Sequence, residues 1–190
     1  MDPSRCPPAA DLTARAADGA LNDLIRARIR DVQDFPSPGI VFKDITPLLG
    51  DSAVFGAVVS ALAAGHGQVD KVAGIEARGF ILAAPVACAL GAGFVPVRKQ
   101  GKLPAATHAQ TYELEYGTAT VEVHTDAFAP GDRVLIVDDV LATGGTARAT
   151  AELIRRSGAD VTAVAVLLEL GFLSGRDGLA DLNIRPLLTV

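Results

Sequence analysis

The chain has 190 residues, of which 49% are apolar and only 5% aromatic, and its formal charge is −5. The length suits one α/β domain, and an apolar fraction rich in Ala, Val, Leu and Gly is typical of a parallel sheet covered by helices. The acidic balance offers no basic surface for nucleic acid, and no apolar run approaches the ~20 residues that span a bilayer. We therefore expect neither nucleic acid nor a membrane as a partner.

The two cysteines and the N-terminal segment indicate the cellular compartment of the protein. Cys6 lies in a segment rich in Pro, Ala and Asp, and Cys88 lies in an apolar stretch. This placement predicts neither a disulfide framework nor a metal cluster. Residues 1–20 lack an apolar core of the secretory type, so we expect a cytoplasmic protein with a disordered tail over residues 1–18.

The first structured segment is expected to be helical. Apolar residues recur at helical spacing from Leu21 to Val32, and the prolines at 36 and 38 bar a continuation. Residues 40–45 then form a short extended stretch. Asp51 is a suitable N-cap for a following helix.

From residue 71 onward, strands and helices alternate. Short buried strands are predicted at 71–75, 94–98, 134–137, 161–168 and 184–188, with helices over 80–90 and 146–157. A polar loop over 99–110 leads into a hairpin around Gly117 and Thr118. This alternation favours an α/β fold with a mostly parallel sheet.

The segment 134–146 carries the sharpest chemical signal. A buried strand ends in Asp138 and Asp139, and a Gly144-Gly145 turn flanked by threonines then opens a helix. Glycine lets the backbone approach a ligand closely, and a helix N-terminus attracts phosphate. Each pair alone would be an ordinary strand end or loop, but their order at one junction predicts a site for a phosphorylated sugar. The segment contains neither the Gly-Lys-Ser/Thr of a P-loop nor a dinucleotide-binding Gly-x-Gly-x-x-Gly.

Residues 134–146 resemble the phosphoribosyl pyrophosphate motif of the type I phosphoribosyltransferase family. Segments 35–47, 74–80, 97–104 and 112–117 resemble the adenine-specific members of that family. The resemblance implies transfer of the 5-phosphoribosyl group from phosphoribosyl pyrophosphate to adenine, giving AMP and pyrophosphate in purine salvage. It further implies Mg²⁺ held mainly through phosphoribosyl pyrophosphate, and a homodimer.

The resemblance also implies a domain plan and a set of site residues. One domain covers 19–190, with a small hood at about 19–50, a core at about 51–190 and a mobile catalytic loop at about 99–116. Glu115 is the implied catalytic residue. The phosphoribosyl group is assigned to Asp138, Asp139, Ala142, Thr143, Gly144, Gly145 and Thr146. Pyrophosphate is assigned to Ala77, Arg78 and Gly79, a turn that often contains a cis peptide, and to Arg98, Lys99 and Lys102. Adenine is assigned to Val41, Phe42, Lys43 and Val140, and no residue to the metal.

Several alternatives remain open at this point. Glu113 and Glu122 compete with Glu115 on composition, and Arg98, Lys99 and Lys102 could be an ordinary solvated loop. An enzyme of the same fold could use a 6-oxopurine or orotate, although the apolar residues 40–42 favour a stacked base. A regulator of this fold would need a DNA-binding module, for which the chain has little room. We also expect a side chain at Gly144 to enter the phosphate site without unfolding the protein.

Overall fold

The computed structural model describes residues 19–113 and 117–190. Their contacts divide the chain into two compact units, with the boundary between Val58 and Val59. Within the described residues, no helix is long and apolar enough to cross a membrane.

The first unit contains a helix over 19–26, α1, and a two-stranded antiparallel hairpin. Strand β1 (Arg30–Gln33) pairs with β2 (Val41–Asp44). The predicted helix to Val32 is therefore wrong beyond residue 26. Residues 30–33 pair with β2 instead, a partner that helical spacing does not reveal, and cross-strand ion pairs accompany this pairing: Arg30 lies 2.6 Å from Asp44 and Lys43 lies 2.8 Å from Asp31. Helices α2 (Thr46–Leu49) and α3 (Ser52–Ala63) follow.

Asp51 caps α3 as predicted. Its Oδ1 accepts hydrogen bonds of 3.2 Å from the backbone N–H groups of Ala53 and Val54. These bonds satisfy donors that have no partner within a helix.

The second unit is built on a sheet that has seven strands among the described residues, in the order β5-β6-β4-β3-β7-β8-β9. Strands β4, β3, β7, β8 and β9 are parallel, and β6 and β5 add an antiparallel edge. The strands are β3 (Lys71–Ile75), β4 (Gly93–Lys99), β5 (Thr107–Glu113), β6 (Thr118–His124), β7 (Arg133–Leu141), β8 (Asp160–Glu169) and β9 (Ile184–Thr189). The predicted α/β class with a mostly parallel sheet is confirmed.

Two helices cover opposite faces of this sheet. Helix α4 (Arg78–Leu90) packs so closely on β3 that a Cβ on Gly74 would lie 2.7 Å from the Cβ of Ala83. Ala73 and Ile75 instead belong to the core beneath α5 (Gly145–Arg156). Because successive strand residues point to opposite faces, the two helices lie on opposite sides.

The strand order reverses between β3 and β7. These two strands are parallel neighbours, but β3 leads through α4 to β4 on one side, and β7 leads through α5 to β8 on the other. The loops after β3 and β7 therefore diverge and leave a crevice at their carboxyl ends. Open α/β sheets bind ligands at such a switch point.

Strand β7 is longer than predicted. It continues through both carboxylates to Leu141 because β8 pairs with it up to Leu141↔Glu169, whereas its pairing with β3 stops at Gly74↔Val137. Asp138 and Asp139 consequently lie within the strand on the β8 side and beyond the pairing on the β3 side.

The segment between β4 and β6 also differs from the predicted polar loop. Strand β5 occupies Thr107–Glu113 and pairs with β6 along its whole length, so the irregular connection covers residues 100–106. Polar residues on both faces of this strand at the sheet edge hide its period of two.

Candidate active site

The segment from Ala142 to Thr146 forms a loop at the start of α5 and lines a cavity. Gly144 precedes the helix with φ 84°, a left-handed conformation that glycine adopts at no steric cost. The N–H groups of a helix N-terminus point outward and favour an anion. The cavity is lined by Asp138, Val140, Leu141, Ala142, Thr143, Gly144, Gly145, Thr146, Ala147, Val164 and Val166. The structure thus brings six of the seven predicted phosphoribosyl residues to one cavity.

The expectation for a side chain at Gly144 is wrong. A Cβ built there would overlap the carbonyl oxygen of Gly175 and lie 3.2 Å from Cδ1 of Leu179. The added side chain would strike the backbone behind the loop instead of entering the cavity, and it would strain the fold.

The two carboxylates of β7 point in different directions. Asp138 lines the cavity, and its Oδ1 accepts a 2.8 Å hydrogen bond from the N–H of Asp139. Asp139 is 6% exposed, and its Oδ2 lies 2.7 Å from Nε of Arg78. The contact is an ion pair without a directed hydrogen bond, since this oxygen has no hydrogen-bond partner among the described residues.

Burial perturbs both carboxyl groups. It raises the pKa of Asp138 well above its usual range, and the charge of Asp139 raises it further. Burial also raises the pKa of Asp139, and the guanidinium of Arg78 opposes that rise. Strongly perturbed carboxyl groups in a crevice are frequent at functional sites.

The turn between β3 and α4 joins the second predicted subsite to these carboxylates. The peptide bond between Glu76 and Ala77 is cis, in agreement with the expectation for this turn. A Cβ on Gly79 would lie 2.6 Å from Oδ1 of Asp138, so only glycine leaves room for this approach. Arg78 reaches Asp139 from the same turn. The turn predicted to bind pyrophosphate and the carboxylates predicted to bind the ribose therefore meet at the switch point.

The predicted basic cluster lies at the end of β4, with Arg98 and Lys99 in the strand and Lys102 just after it. Nε of Arg98 donates to Oε2 of Glu76 at 3.2 Å, and the N–H of Lys99 donates to the same oxygen at 3.0 Å. Burial would raise the pKa of Glu76, but these donors outweigh it and hold the pKa below its usual range. Arg98 also donates to the carbonyl of Lys102 at 3.0 Å. The cluster is thus tied, through Glu76, to the turn between β3 and α4.

The sequence reasoning missed the anchoring roles of Glu76, Glu122 and Tyr112. Glu122 is 4% exposed, and its Oε1 accepts 3.1 Å hydrogen bonds from the N–H groups of Lys102 and Leu103. Tyr112 accepts a 2.9 Å hydrogen bond from the hydroxyl of Thr146. A charged residue between Val121 and Val123 on a buried strand was a usable signal for Glu122. No local signal pointed to Tyr112.

Comparison with known proteins shows the family to which this chain belongs. The family model described as a phosphoribosyl transferase domain matches residues 54–177. An adenine phosphoribosyltransferase of Nocardioides sp. is 65% identical over 170 residues, which make up 86% of this chain and 92% of that relative. The chain belongs to the adenine phosphoribosyltransferase family.

Solved structures of adenine phosphoribosyltransferases agree with this assignment. The enzyme of Rhodothermus marinus is 50% identical with a TM-score of 0.87, covering 90% of this chain and 99% of that one. The enzyme of Saccharomyces cerevisiae, solved with adenine and an imino-altritol bisphosphate, is 35% identical with a TM-score of 0.82, covering 90% and 99%. The resemblance to the type I phosphoribosyltransferases is therefore confirmed.

The residues expected to bind adenine in this family occupy two elements. Val41, Phe42 and Lys43 lie in β2, where the ring of Phe42 packs edge-on against Phe35 with centroids 5.1 Å apart. Val140 lies in β7 and lines the cavity of the loop. The proposed catalytic residue of the family, Glu115, lies outside the described residues.

Magnesium, which the family implies, has no dedicated protein cage in the part of the chain that the structure describes. No group of three or more His, Cys, Asp or Glu side chains there could hold a metal ion. The donor set fits a cation that arrives bound to substrate phosphates, because Mg²⁺ commonly keeps few protein ligands.

Proposed function

We propose that this protein transfers the 5-phosphoribosyl group from phosphoribosyl pyrophosphate to adenine and releases AMP and pyrophosphate, a reaction of purine salvage. The observation that carries the proposal is the junction of β7 and α5 at the switch point. There, the carboxylate of Asp138 and the N-terminus of α5 line one cavity, which suits a ribose hydroxyl beside a phosphate. Membership in the adenine phosphoribosyltransferase family supports adenine as the acceptor.

Two parts of the site bind the phosphoribosyl group: the loop Ala142–Thr146 and the carboxylates of β7. We assign the 5′-phosphate to Ala142–Thr146, where backbone N–H groups and the hydroxyls of Thr143 and Thr146 can donate. Asp138 and Asp139 accept hydrogen bonds from the ribose hydroxyls, and a bond to a charged group contributes about 1.5–3 kcal/mol. This holds the sugar with its anomeric carbon accessible to the base.

The leaving group requires positive charge. In the reaction, a purine nitrogen forms a bond to the anomeric carbon as the bond to the pyrophosphate oxygen breaks, with inversion, through an oxocarbenium-like transition state. The electron pair leaves with pyrophosphate, so its negative charge grows. We assign its stabilisation to the turn Ala77–Gly79 and to Arg98, Lys99 and Lys102, because fixed donors lower the barrier most where charge develops.

The base is bound and activated by other residues. We propose that Val41, Phe42 and Val140 contact adenine through their side chains and that Lys43 contributes its backbone. Glu115 contacts the imidazole ring of adenine and takes its proton as the other ring nitrogen attacks.

Magnesium enters with phosphoribosyl pyrophosphate in this proposal. When bound, it neutralises phosphate charge and favours departure of pyrophosphate. The side chains named above bind the sugar and the phosphates around it.

We further propose that the protein is a cytoplasmic homodimer. A chain with few cysteines is typical of a reducing compartment, and Cys88 is free and exposed. The oligomeric state is measurable by light scattering coupled to size-exclusion chromatography, and a monomer at working concentrations would contradict the proposal.

The deciding experiment incubates the protein with phosphoribosyl pyrophosphate, Mg²⁺ and one base at a time: adenine, hypoxanthine, guanine or orotate. We expect AMP from adenine and little product from the other bases. IMP, GMP or orotidylate as the main product would indicate the other-base enzyme. Binding of phosphoribosyl pyrophosphate without product from any base would indicate a non-catalytic regulator.

A further inference from the structure

A short segment after β8 lies directly behind the loop Ala142–Thr146. Residues 171–182, which we call the buttress, contain two turns of 3-10 helix, Gly171–Leu173 and Asp177–Leu179. The N–H of Leu170 donates to the carbonyl of Leu141 at 2.9 Å, so the chain leaves β8 beside the start of the loop. Neither the sequence motifs nor the proposed reaction assigns a role to this segment.

The backbones of the buttress and the loop are in tight contact. A Cβ on Gly175 would overlap the carbonyl of Ala142 and lie 3.3 Å from the backbone nitrogen of Gly144. A Cβ on Gly144 would in turn overlap the carbonyl of Gly175. The position of Gly175 therefore limits where the loop backbone can lie.

An ion pair between a buried carboxylate and an exposed arginine fixes Gly175 through its neighbour. Glu169, at the end of β8, is 5% exposed and receives both Nε and Nη2 of Arg176, the latter at 2.8 Å. The hydroxyl of Thr189 donates to the same carboxylate at 3.2 Å. A bidentate pair fixes geometry as well as charge, so Arg176 and the adjoining Gly175 are held against the sheet.

The far end of the buttress is tied to α5. Nε of Arg148 donates to the carbonyl of Gly178 at 3.0 Å, and its Nη2 lies 2.6 Å from Oδ1 of Asp181. The buttress is thus fixed both to the sheet and to the helix that the loop opens.

We propose that Glu169 and Arg176 are positioning residues for the 5′-phosphate: through Gly175 they hold the loop Ala142–Thr146 in its binding geometry. The inference rests on the proposed binding of the 5′-phosphate by this loop. Loosening the buttress should weaken the binding of ribose 5-phosphate and leave pyrophosphate, which is assigned to Arg78 and the basic cluster, bound as before.

The first test is a pair of glycine variants measured by calorimetry with ribose 5-phosphate. Gly175→Ala should lower the affinity about 10-fold to 100-fold, the effect of losing about one hydrogen bond to a charged group. Gly178→Ala is the matched control in the same segment, because a Cβ there meets nothing within 4 Å. Equal affinities in the two variants would overturn the proposal.

The second test removes the ion pair without leaving a buried charge unpaired. The double variant Glu169→Gln/Arg176→Gln keeps hydrogen-bonding side chains. Arg176→Lys keeps the positive charge but cannot make the bidentate contact. Asp70→Asn/Arg133→Gln removes an equally bidentate pair, with both contacts at 2.9 Å, at the opposite end of β7. Both double variants should lose stability, but only the first should lose affinity for ribose 5-phosphate, with Arg176→Lys intermediate.

Pyrophosphate binding completes the test. Unchanged pyrophosphate affinity in the Glu169→Gln/Arg176→Gln variant supports a specific effect on the loop. Equal losses for both ligands, or equal losses in both double variants, would reduce the pair to a general structural role and overturn the proposal. Wild-type protein that binds no ribose 5-phosphate would overturn the assigned phosphate site and this inference together. Wild-type binding with unaffected buttress variants would overturn the inference alone.

Discussion

Nε of Arg78 lies 2.7 Å from Oδ2 of Asp139, although Arg78 begins α4 after β3 and Asp139 lies near the end of β7. The contact crosses the switch point between β3 and β7. It joins a residue assigned to pyrophosphate with one assigned to the ribose hydroxyls. If both assignments hold, substrate binding redistributes the charge that this pair balances in the free protein.

Arg78→Gln should weaken pyrophosphate binding and also destabilise the protein. One charge-assisted hydrogen bond contributes about 1.5–3 kcal/mol, so we expect a loss of affinity of roughly 10-fold to 100-fold. The melting temperature should fall because Asp139 remains buried without its counter-charge. Calorimetry with pyrophosphate and thermal unfolding measure the two effects.

The double variant Arg78→Gln/Asp139→Asn separates these effects. It should recover the melting temperature but not the pyrophosphate affinity. Recovery of both would mean that Arg78 acts only as a partner of Asp139.

Asp138→Asn should stabilise the free protein at neutral pH while it weakens ribose 5-phosphate binding. Burial raises the native pKa of Asp138, whereas the unfolded group titrates near pH 4. Between these two values, the native state binds more protons than the unfolded state, so wild-type stability falls as pH rises through the window. The introduced amide keeps an acceptor oxygen for the N–H of Asp139 and carries no such penalty.

The pH dependence of the melting temperature checks this prediction. The advantage of Asp138→Asn should grow as pH rises above about 4 and should vanish below that pH, where the carboxyl is protonated in both states. A variant that is less stable than wild type at pH 7, or whose difference does not vary with pH, would contradict it.

Gly144→Ala should destabilise the protein by more than the ordinary cost of a left-handed residue, which is about 1–2 kcal/mol. The excess comes from overlap with the carbonyl of Gly175. Gly131→Ala is the matched control, because Gly131 has the same φ of 84° and open space around its Cβ position. Denaturant unfolding of both variants gives the excess directly, and equal losses would refute the steric argument.

Glu115→Gln should reduce the rate of AMP formation about 10²-fold to 10⁴-fold, the usual contribution of a general acid or base. Affinity for phosphoribosyl pyrophosphate should remain nearly intact, because other segments bind it. Stability should change within ~0.5 kcal/mol, as is common for substitutions away from the core. Single-turnover measurements at saturating substrates isolate the chemical step.

Glu113→Gln provides the comparison, since Glu113 is the exposed last residue of β5. It should stay close to the wild type. Equal small losses in both variants would show that Glu115 is the wrong residue or that positioning alone carries catalysis.

The sequence by itself determined the class of fold and the phosphoribosyl motif. The chemical groups of residues 134–146 are contiguous in sequence. The order of strand, carboxylates, glycines and helix can therefore be recognised without knowing which distant segments contact them. The alternation of buried strands with helices likewise indicated a parallel sheet. The helical spacing of apolar residues gave the wrong prediction after residue 26, because residues 30–33 pair with β2, which local spacing does not reveal.

Only the tertiary structure decided which distant residues meet. Arg78 reaches Asp139 because β3 and β7 are neighbours in the sheet although β4, β5 and β6 separate them in the chain. Glu122 holds Lys102 across an antiparallel edge, and Gly175 abuts the phosphate loop after the whole of α5 and β8. Such contacts depend on strand order and close backbone packing, which arise from the sum of many pairings and leave no periodic signal in the residues that make them.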